Sequence, residues 1–111
     1  MLEVKPNNPR FPHRVHITRV DAASPFDETT TRVLYCGCGR AYTDTTTTGD
    51  NNVDMNRRKC SIPVRFDRWE EPVLDGDTIT VVKGTLTEVG RVRDFEPDND
   101  RTVIYWELVR V

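Results

Sequence analysis

The 111-residue chain is predicted to be all-β, a small antiparallel β-barrel of about six strands with one long polar loop. β-branched residues and threonine dominate the segments with alternating apolar and polar side chains. Glycine and proline separate those segments, and no stretch carries an apolar stripe with helical spacing. The length fits one modest core, so we expect residues 1–111 to form a single barrel domain with an N-terminal arm at 1–12.

The first two strands are predicted at 13–20 and 30–36. The run "HRVHITRV" directs Val15 and Ile17 to one face and polar side chains to the other. The run "TTRVLYC" follows the turn-rich segment "AASPFDE". We expect these two runs to pair as the first hairpin.

Four further strands are predicted in the second half of the chain. The run at 61–66 alternates strictly, and Pro63 within it favours an edge position because proline cannot donate to a ladder. Asp-Gly and Lys-Gly turns bound a strand at 78–82. The glycine within 85–95 predicts a bulge in a curved sheet, and 102–111 is apolar on both faces, which predicts cover on both sides.

The connection at 42–59 is the exception to this regular pattern. Its only aliphatic or methionine side chains are Val53 and Met55, and most of the rest is Thr, Asp, Asn, Gly and Arg. Connections of this length are uncommon in compact domains and are usually functional or disordered. We therefore expect a long polar inter-strand loop that contributes little to the core.

The charge is nearly balanced overall but unevenly distributed. The formal net charge is −2, which gives no reason to expect a general binder of nucleic acid or of membrane surfaces. Residues 1–66 hold 10 Lys or Arg and 7 Asp or Glu, whereas residues 67–111 hold 6 and 11. The chain could therefore present two faces to different partners. No apolar run approaches a signal or a membrane span, so we expect a cytosolic protein.

The three cysteines allow three interpretations. Cys36, Cys38 and Cys60 with His13 or His16 could supply four zinc ligands, but a C-x-C spacing without a second pair is not that of common zinc sites. A disulfide from Cys60 to Cys36 or Cys38 would close the base of the loop. The favoured interpretation is ordinary small residues at a strand end, and we expect no metal and no cofactor.

The sequence gives little indication of catalysis. The only histidines, His13 and His16, lie in a predicted strand, and a nucleophile needs a positioned base beside it. The acidic residues of the link at 68–77 are typical of solvated turns. We therefore expect that the protein is not an enzyme.

The basic run "NRRK" at 56–59 is the strongest local charge signal. Three adjacent cations could contact phosphate groups, although no aromatic residue lies among them to stack on bases. Contact with a DNA backbone and a simple solvated loop both stay open at this point.

The order of these features resembles the bacteriophage head-tail joining proteins, also called head-closure or stopper proteins. "HRVHITRV" is similar to their opening strand, and "RVLYCGCGRAY" occupies the place of their second strand. "IPVRF", "GDTI", the glycine hairpin, "VRD" and the apolar closing strand resemble their C-terminal half. The resemblance covers about residues 13–110 and consists of strand and turn patterns.

The resemblance implies a structural virion protein without catalytic activity or cofactor. Its copies would form a homo-oligomeric ring, commonly of twelve, between the portal and adaptor ring and a tail protein. Packaged double-stranded DNA would run through the channel, and the protein would reside in the host cytoplasm during assembly and in the virion afterwards, without a membrane. The residues expected to face the channel are Thr43, Thr45, Thr46, Thr47, Thr48, Asp50, Asn51, Asn52, Arg57, Arg58 and Lys59.

Two rival interpretations stay open. The first is a small nucleic-acid-binding β-barrel resembling an OB-fold, whose long loop would grip DNA directly. The negative net charge and the location of the aromatic residues in apolar runs count against it. The second is an unrelated small metalloprotein.

Overall fold

The computed structural model describes residues 2–3, 9–22, 29–43 and 56–110, which form strands, turns and one short 3₁₀ helix at Phe66–Arg68. The strands are β1 Leu2–Glu3, β2 His13–Ala22, β3 Thr29–Thr43, β4 Arg57–Ile62, β5 Thr78–Lys83, β6 Leu86–Pro97 and β7 Thr102–Arg110. Among the described residues, no helix is long and apolar enough to cross a membrane.

Six of the strands close into an antiparallel barrel. Going round the barrel, the order is β3, β2, β5, β6, β7 and β4, and β4 pairs again with β3. The predicted all-β barrel of about six strands is therefore confirmed. The short β1 is an addition within the predicted N-terminal arm, and it pairs in parallel with β3 at Tyr35 and Cys36.

The predicted first hairpin is confirmed, but its second strand is longer than the sequence indicated. β2 and β3 pair from His13 opposite Gly39 to Ala22 opposite Thr29, and β3 continues to Thr43. A Cβ atom on Gly39 would lie 2.5 Å from a side-chain carbon of Val15 and 3.1 Å from the Ser61 carbonyl oxygen. This glycine therefore allows neighbouring strands to approach closely, and it does not end the strand.

The prediction of the third strand at 61–66 is wrong by four residues, because the observed strand begins and ends four residues earlier. β4 runs from Arg57 to Ile62 and stops before Pro63, which has no N–H for the ladder. Val64 is nevertheless buried, and its carbonyl oxygen accepts a 2.8 Å hydrogen bond from the hydroxyl of Thr102. The chain therefore leaves the sheet at Pro63 but still covers one end of the core.

The interior of the barrel contains one apolar cluster from all six strands and the link at 63–77. Its largest members are Trp106 and Tyr35, and the other buried members are Val15, Ile17, Leu34, Ala41, Cys60, Ile62, Val64, Val73, Ile79, Val81, Val92 and Ile104. Removal of these apolar side chains from water is the main driving force for folding.

β7 does not have the predicted cover on both faces. Ile104 and Trp106 point inward and are at most 2% exposed, whereas Val103 and Tyr105, which alternate with them, are half-buried. Val109 near the end of the strand is 61% exposed. The outward apolar side chains of β7 therefore belong to the protein surface.

The bulge predicted around Gly90 is confirmed. The register of β6 against β7 shifts between Val89 and Gly90 and again between Val92 and Asp94. A Cβ atom on Gly90 would clash with the Glu107 carbonyl oxygen and with a ring carbon of Trp106. The indole ring occupies the space that a side chain would need.

Gly90→Ala should therefore destabilise the protein by at least about 2 kcal/mol, because overpacking a well-packed core usually costs 1–3 kcal/mol. Urea unfolding followed by tryptophan fluorescence measures this change. The matched control is Gly84→Asn, because Gly84 has a φ of 63° and open space around it, and asparagine tolerates such a φ. Equal losses for the two variants would contradict the close packing of Trp106 on Gly90.

Candidate functional site

The β3–β4 connection leaves the barrel at an end that is rich in cations. We define the basic end as the four residues of each barrel strand nearest to this connection. It holds seven Lys or Arg and two Glu, a net charge of +5: Arg14, Arg40, Arg57, Arg58, Lys59, Lys83, Arg110, Glu88 and Glu107. A phosphate-bearing partner would be attracted to this end.

The opposite end of the barrel is acidic. We define the acidic end as 19–22, 29–32, the link at 63–77 and the β6–β7 turn with its flank at 94–101. Its described side chains include nine carboxylates and five guanidinium groups, a net charge of −4: Asp67, Glu70, Glu71, Asp75, Asp77, Asp94, Glu96, Asp98, Asp100, Arg19, Arg32, Arg65, Arg68 and Arg101. The charge asymmetry therefore runs along the barrel.

The residues predicted to face a channel fall into two groups. Thr45, Thr46, Thr47, Thr48, Asp50, Asn51 and Asn52 lie outside the described residues. Thr43 is the last residue of β3, and Arg57, Arg58 and Lys59 are the first three residues of β4. The ends of the predicted loop at 42–59 are therefore strand, paired from Arg40 opposite Ser61 to Thr43 opposite Arg58.

The three adjacent cations of β4 do not act as one patch. Successive side chains of a strand point to opposite faces, and Arg58 shares the inward face of Cys60 and Ile62. The Arg58 side chain is only 12% exposed. Arg57 and Lys59 point outward, so only these two of the three lie on the barrel's outer face.

Glu88 holds Arg58 inside the mouth of the barrel. The Glu88 side chain is 6% exposed and lies 2.7 Å from the Lys83 Nζ atom and 3.5 Å from the Arg58 Nε atom. These three residues belong to β6, β5 and β4. A buried carboxylate with two cations therefore links three strands at the point where the loop begins.

His13 lies at the same mouth and accepts a 3.0 Å hydrogen bond at Nδ1 from the Ala41 backbone N–H. An accepting nitrogen must be unprotonated. Partial burial lowers the pKa of His13, and the positive charges of Lys83 and Arg40 lower it further, against a weaker opposite effect of Glu88. The neutral imidazole thus connects the start of β2 to the end of β3.

A row of aromatic and basic side chains crosses the outer face of the basic end. Tyr42 pairs with Lys59, and Lys59 pairs with Tyr105 on the next strand. The Lys59 Nζ atom lies 5.5 Å from the centre of the Tyr105 ring, and Tyr42 is 41% exposed. Sequence reasoning missed this row, because the two tyrosines come from strands that are distant in the chain.

The cysteines lie within strands of the barrel. Cys36 is half-buried in β3, Cys38 and Cys60 are fully buried, and all three thiols are free, so the alternative of a disulfide is not realised. Cys38 is opposite Arg14, whereas Cys60 is opposite Ala41. The expectation of a strand ending at Cys36 is wrong. Within the described part of the chain, no three His, Cys, Asp or Glu side chains form a group that could hold a metal ion.

The acidic residues of the link were expected to be solvated turn formers, and Asp77 contradicts this. It is 6% exposed and accepts two 2.9 Å hydrogen bonds from the Arg19 guanidinium and one of 2.8 Å from the Leu74 N–H. Glu71 forms ion pairs with Arg19 and Arg32. This network fastens the link to the β2–β3 hairpin and is structural.

Comparison of the chain with protein-family models, with curated proteins and with solved structures finds no match. The case for a function therefore depends on the geometry and charge of the barrel.

Glu88→Gln should destabilise the protein by about 2–4 kcal/mol, because it leaves two largely buried cations without their charge partner. Urea unfolding at neutral pH measures the loss. Glu107→Gln is the matched control, since Glu107 pairs with Arg93 at 3.0 Å on the surface, where an ion pair contributes less than about 1 kcal/mol. A Glu88→Gln variant as stable as the control would show that the buried cluster does not hold the mouth together.

In the native protein, Cys36 alone should react with a thiol reagent at mildly alkaline pH. Burial raises the pKa of Cys60 to about 12 and also raises the pKa of Cys38, which leaves little thiolate at either residue. An Ellman titration should count one fast thiol in the native protein and all three after denaturation. Cys36→Ser should abolish the fast reaction. Equal rates for the three thiols in the native state would contradict the burial of Cys38 and Cys60.

Proposed function

We propose that this chain is a structural virion protein that closes a DNA-filled phage head and joins it to a tail. Copies of the barrel form a ring around the DNA channel, and the β3–β4 loop points into the channel. The observation that carries the proposal is that this long polar connection leaves a closed barrel at its basic end. The protein needs no catalytic group or cofactor for this role.

The described core of the closed barrel supports this assignment. All members of the buried apolar cluster come from the strands and the link at 63–77. The base of the loop is held on both sides, since β4 pairs with β3 and with β7. A polar segment on such a base can serve as a channel element while the barrel serves as a building block.

The charge polarity of the barrel supports a fixed orientation in a ring. Cations at the basic end attract the phosphates of packaged DNA, and carboxylates at the acidic end are repelled by them. Each subunit would therefore turn its basic end, with the loop, toward the channel. The acidic end would be left for contacts with other proteins.

A nucleic-acid-binding module is the second candidate, and one observation favours it. Tyr42 and Tyr105 flank Lys59 across the outer face, and such a combination of aromatic and basic side chains suits single-stranded nucleic acid. The architecture counts against an OB-fold, which is a partly open barrel of five strands, whereas this barrel has six and is closed.

Electron microscopy of the purified protein with the portal and adaptor proteins encoded in the same genome tests the joining role. The expected result is an additional ring stacked on the distal face of the portal–adaptor complex. Omission of the adaptor is the control and should remove the ring. A complex without added density at saturating protein would overturn the proposal.

Replacing residues 44–55 with a short Gly-Ser linker should separate fold from function. Asn56 is kept because its carbonyl oxygen accepts a 2.7 Å hydrogen bond from the Leu108 N–H. We expect a thermal midpoint within a few degrees of the wild type, since surface changes usually alter stability by about 0.5 kcal/mol or less. Particles assembled with this variant should join heads to tails and yet lose packaged DNA.

The same variant also distinguishes the second candidate. If the protein grips DNA directly, the shortened chain should lose affinity for an oligonucleotide in solution, and Arg57→Gln with Lys59→Gln should lower the salt dependence of binding. Arg58→Gln is the contrasting change, because its inward side chain should alter stability more than DNA affinity. A shortened chain that cannot fold would contradict both candidates.

A further inference from the structure

A groove runs over the outer face of the barrel from the end of β2 and the link at 63–77, past the start of β5 and across β6, to the end of β7. Two adjoining pockets of about 310 and 270 Å³ share Thr78 and Arg91 in their lining. Of the five exposed large apolar side chains in the described part of the chain, three surround them, namely Val20, Leu74 and Val109, which are 53–61% exposed. Isolated apolar residues on a surface are ordinary, whereas several around one groove are typical of an interaction surface.

Three cations and two carboxylates line this groove, and both carboxylates are already paired with arginines. Arg91 lies between the two pockets, and its only described hydrogen bond is a long one of 3.4 Å to the Gly76 carbonyl oxygen. Arg110 lines the second pocket and is exposed. Neither guanidinium forms an ion pair with a described carboxylate, in contrast to Arg19 at the edge of the groove, which pairs with Asp77. The groove therefore suits an acidic partner with a small apolar surface.

The β6–β7 turn of the same chain has that chemistry. Its segment "DFEPDND" at 94–100 is exposed except for the half-buried Phe95. No described cation pairs with Asp94, Glu96 or Asp98, and Pro97 between them offers an exposed apolar ring. The turn lies at the acidic end of the barrel, whereas the groove runs along the side of the barrel from the acidic end to the basic end.

We propose that the groove binds the acidic β6–β7 turn of a second copy of this chain. Pro97 would sit on the valines of the groove, and the carboxylates of the turn would face Arg91 and Arg110. The two surfaces differ, so each copy keeps one free groove and one free turn. Such a heterologous contact closes into a ring when the rotation between copies allows it, and otherwise extends.

This inference deepens the proposed function, because it rests on the ring proposed there and names the contact between its neighbouring copies. Charge complementarity carries the choice of partner: Arg91 and Arg110 of the groove form no ion pair with a described carboxylate, and three of the four carboxylates of the turn form none with a described cation. Association through these surfaces should weaken as salt screens the pairs.

The test compares charge-reversed variants of the full chain by sedimentation equilibrium at low salt, from micromolar to millimolar concentration. The groove variant carries Arg91→Glu and Arg110→Glu, and the turn variant carries Glu96→Lys and Asp98→Lys. The matched control carries Arg14→Glu and Arg40→Glu, which make the same change in net charge on exposed side chains outside both surfaces. Circular dichroism confirms that each variant is folded.

We expect the wild type and the control to self-associate, and each single-surface variant to associate at least about tenfold more weakly. An equimolar mixture of the groove and turn variants should recover association, because the reversed turn then matches the reversed groove. The combination of all four changes in one chain should recover it as well.

Two results would overturn the inference: a wild type that is monomeric at all these concentrations, or variants that lose association without recovery on mixing. The second result would show that the groove and the turn do not bind each other. Neither result bears on whether the protein stacks on a portal–adaptor complex. Failure of this contact and failure of the joining role are therefore distinguishable.

Discussion

The structure depends on the pairing of β4 with both β3 and β7, because this six-residue strand closes the barrel. Closure removes exposed strand edges, which otherwise promote unwanted pairing. It also fixes the two ends of the longest connection in the chain. β4 is held by hydrogen bonds along both edges. Near its first residue it is also held by the ion pair between Arg58 and Glu88.

The same pairing determines which groups the basic end presents. The strand parity of β4 directs Arg58 into the barrel and leaves Arg57 and Lys59 outside. Its register then sets Lys59 between Tyr42 and Tyr105. A run of three cations becomes one structural group inside the barrel and two surface groups, of which Lys59 lies beside aromatic rings, and the two roles can be separated by mutation.

The two ends of the barrel carry opposite net charges, and this difference connects the two proposals. A cationic end with a long loop suits a DNA channel, and a carboxylate-rich end suits contacts between proteins. The groove over β5 and β6 lies on the side of the barrel, where a neighbour in a ring would sit. In this arrangement the loop faces DNA while the acidic turn of one subunit reaches the groove of the next.

The sequence by itself determined the features that depend on local chemistry. The alternation of apolar side chains predicted the all-β class and the number of barrel strands, and the glycines predicted the reversal at Gly76 and the bulge at Gly90. The scarcity of apolar side chains at 44–55, where Val53 and Met55 are the only ones, predicted a polar connection between β3 and β4. These properties depend on side-chain type and on backbone conformations that a few residues specify.

Only the tertiary structure decided which distant residues became neighbours. The length of β3, the location of β4 ahead of Pro63, the burial of Glu88 and the row around Lys59 all follow from the register between strands far apart in the chain. The two halves of the sequence differ in net charge, which suggested a charge asymmetry. The pairing of the strands arranges these charges so that one end of the barrel is basic and the other is acidic. Register is set by how the whole set of apolar faces closes around one core, and no short stretch of sequence contains that information.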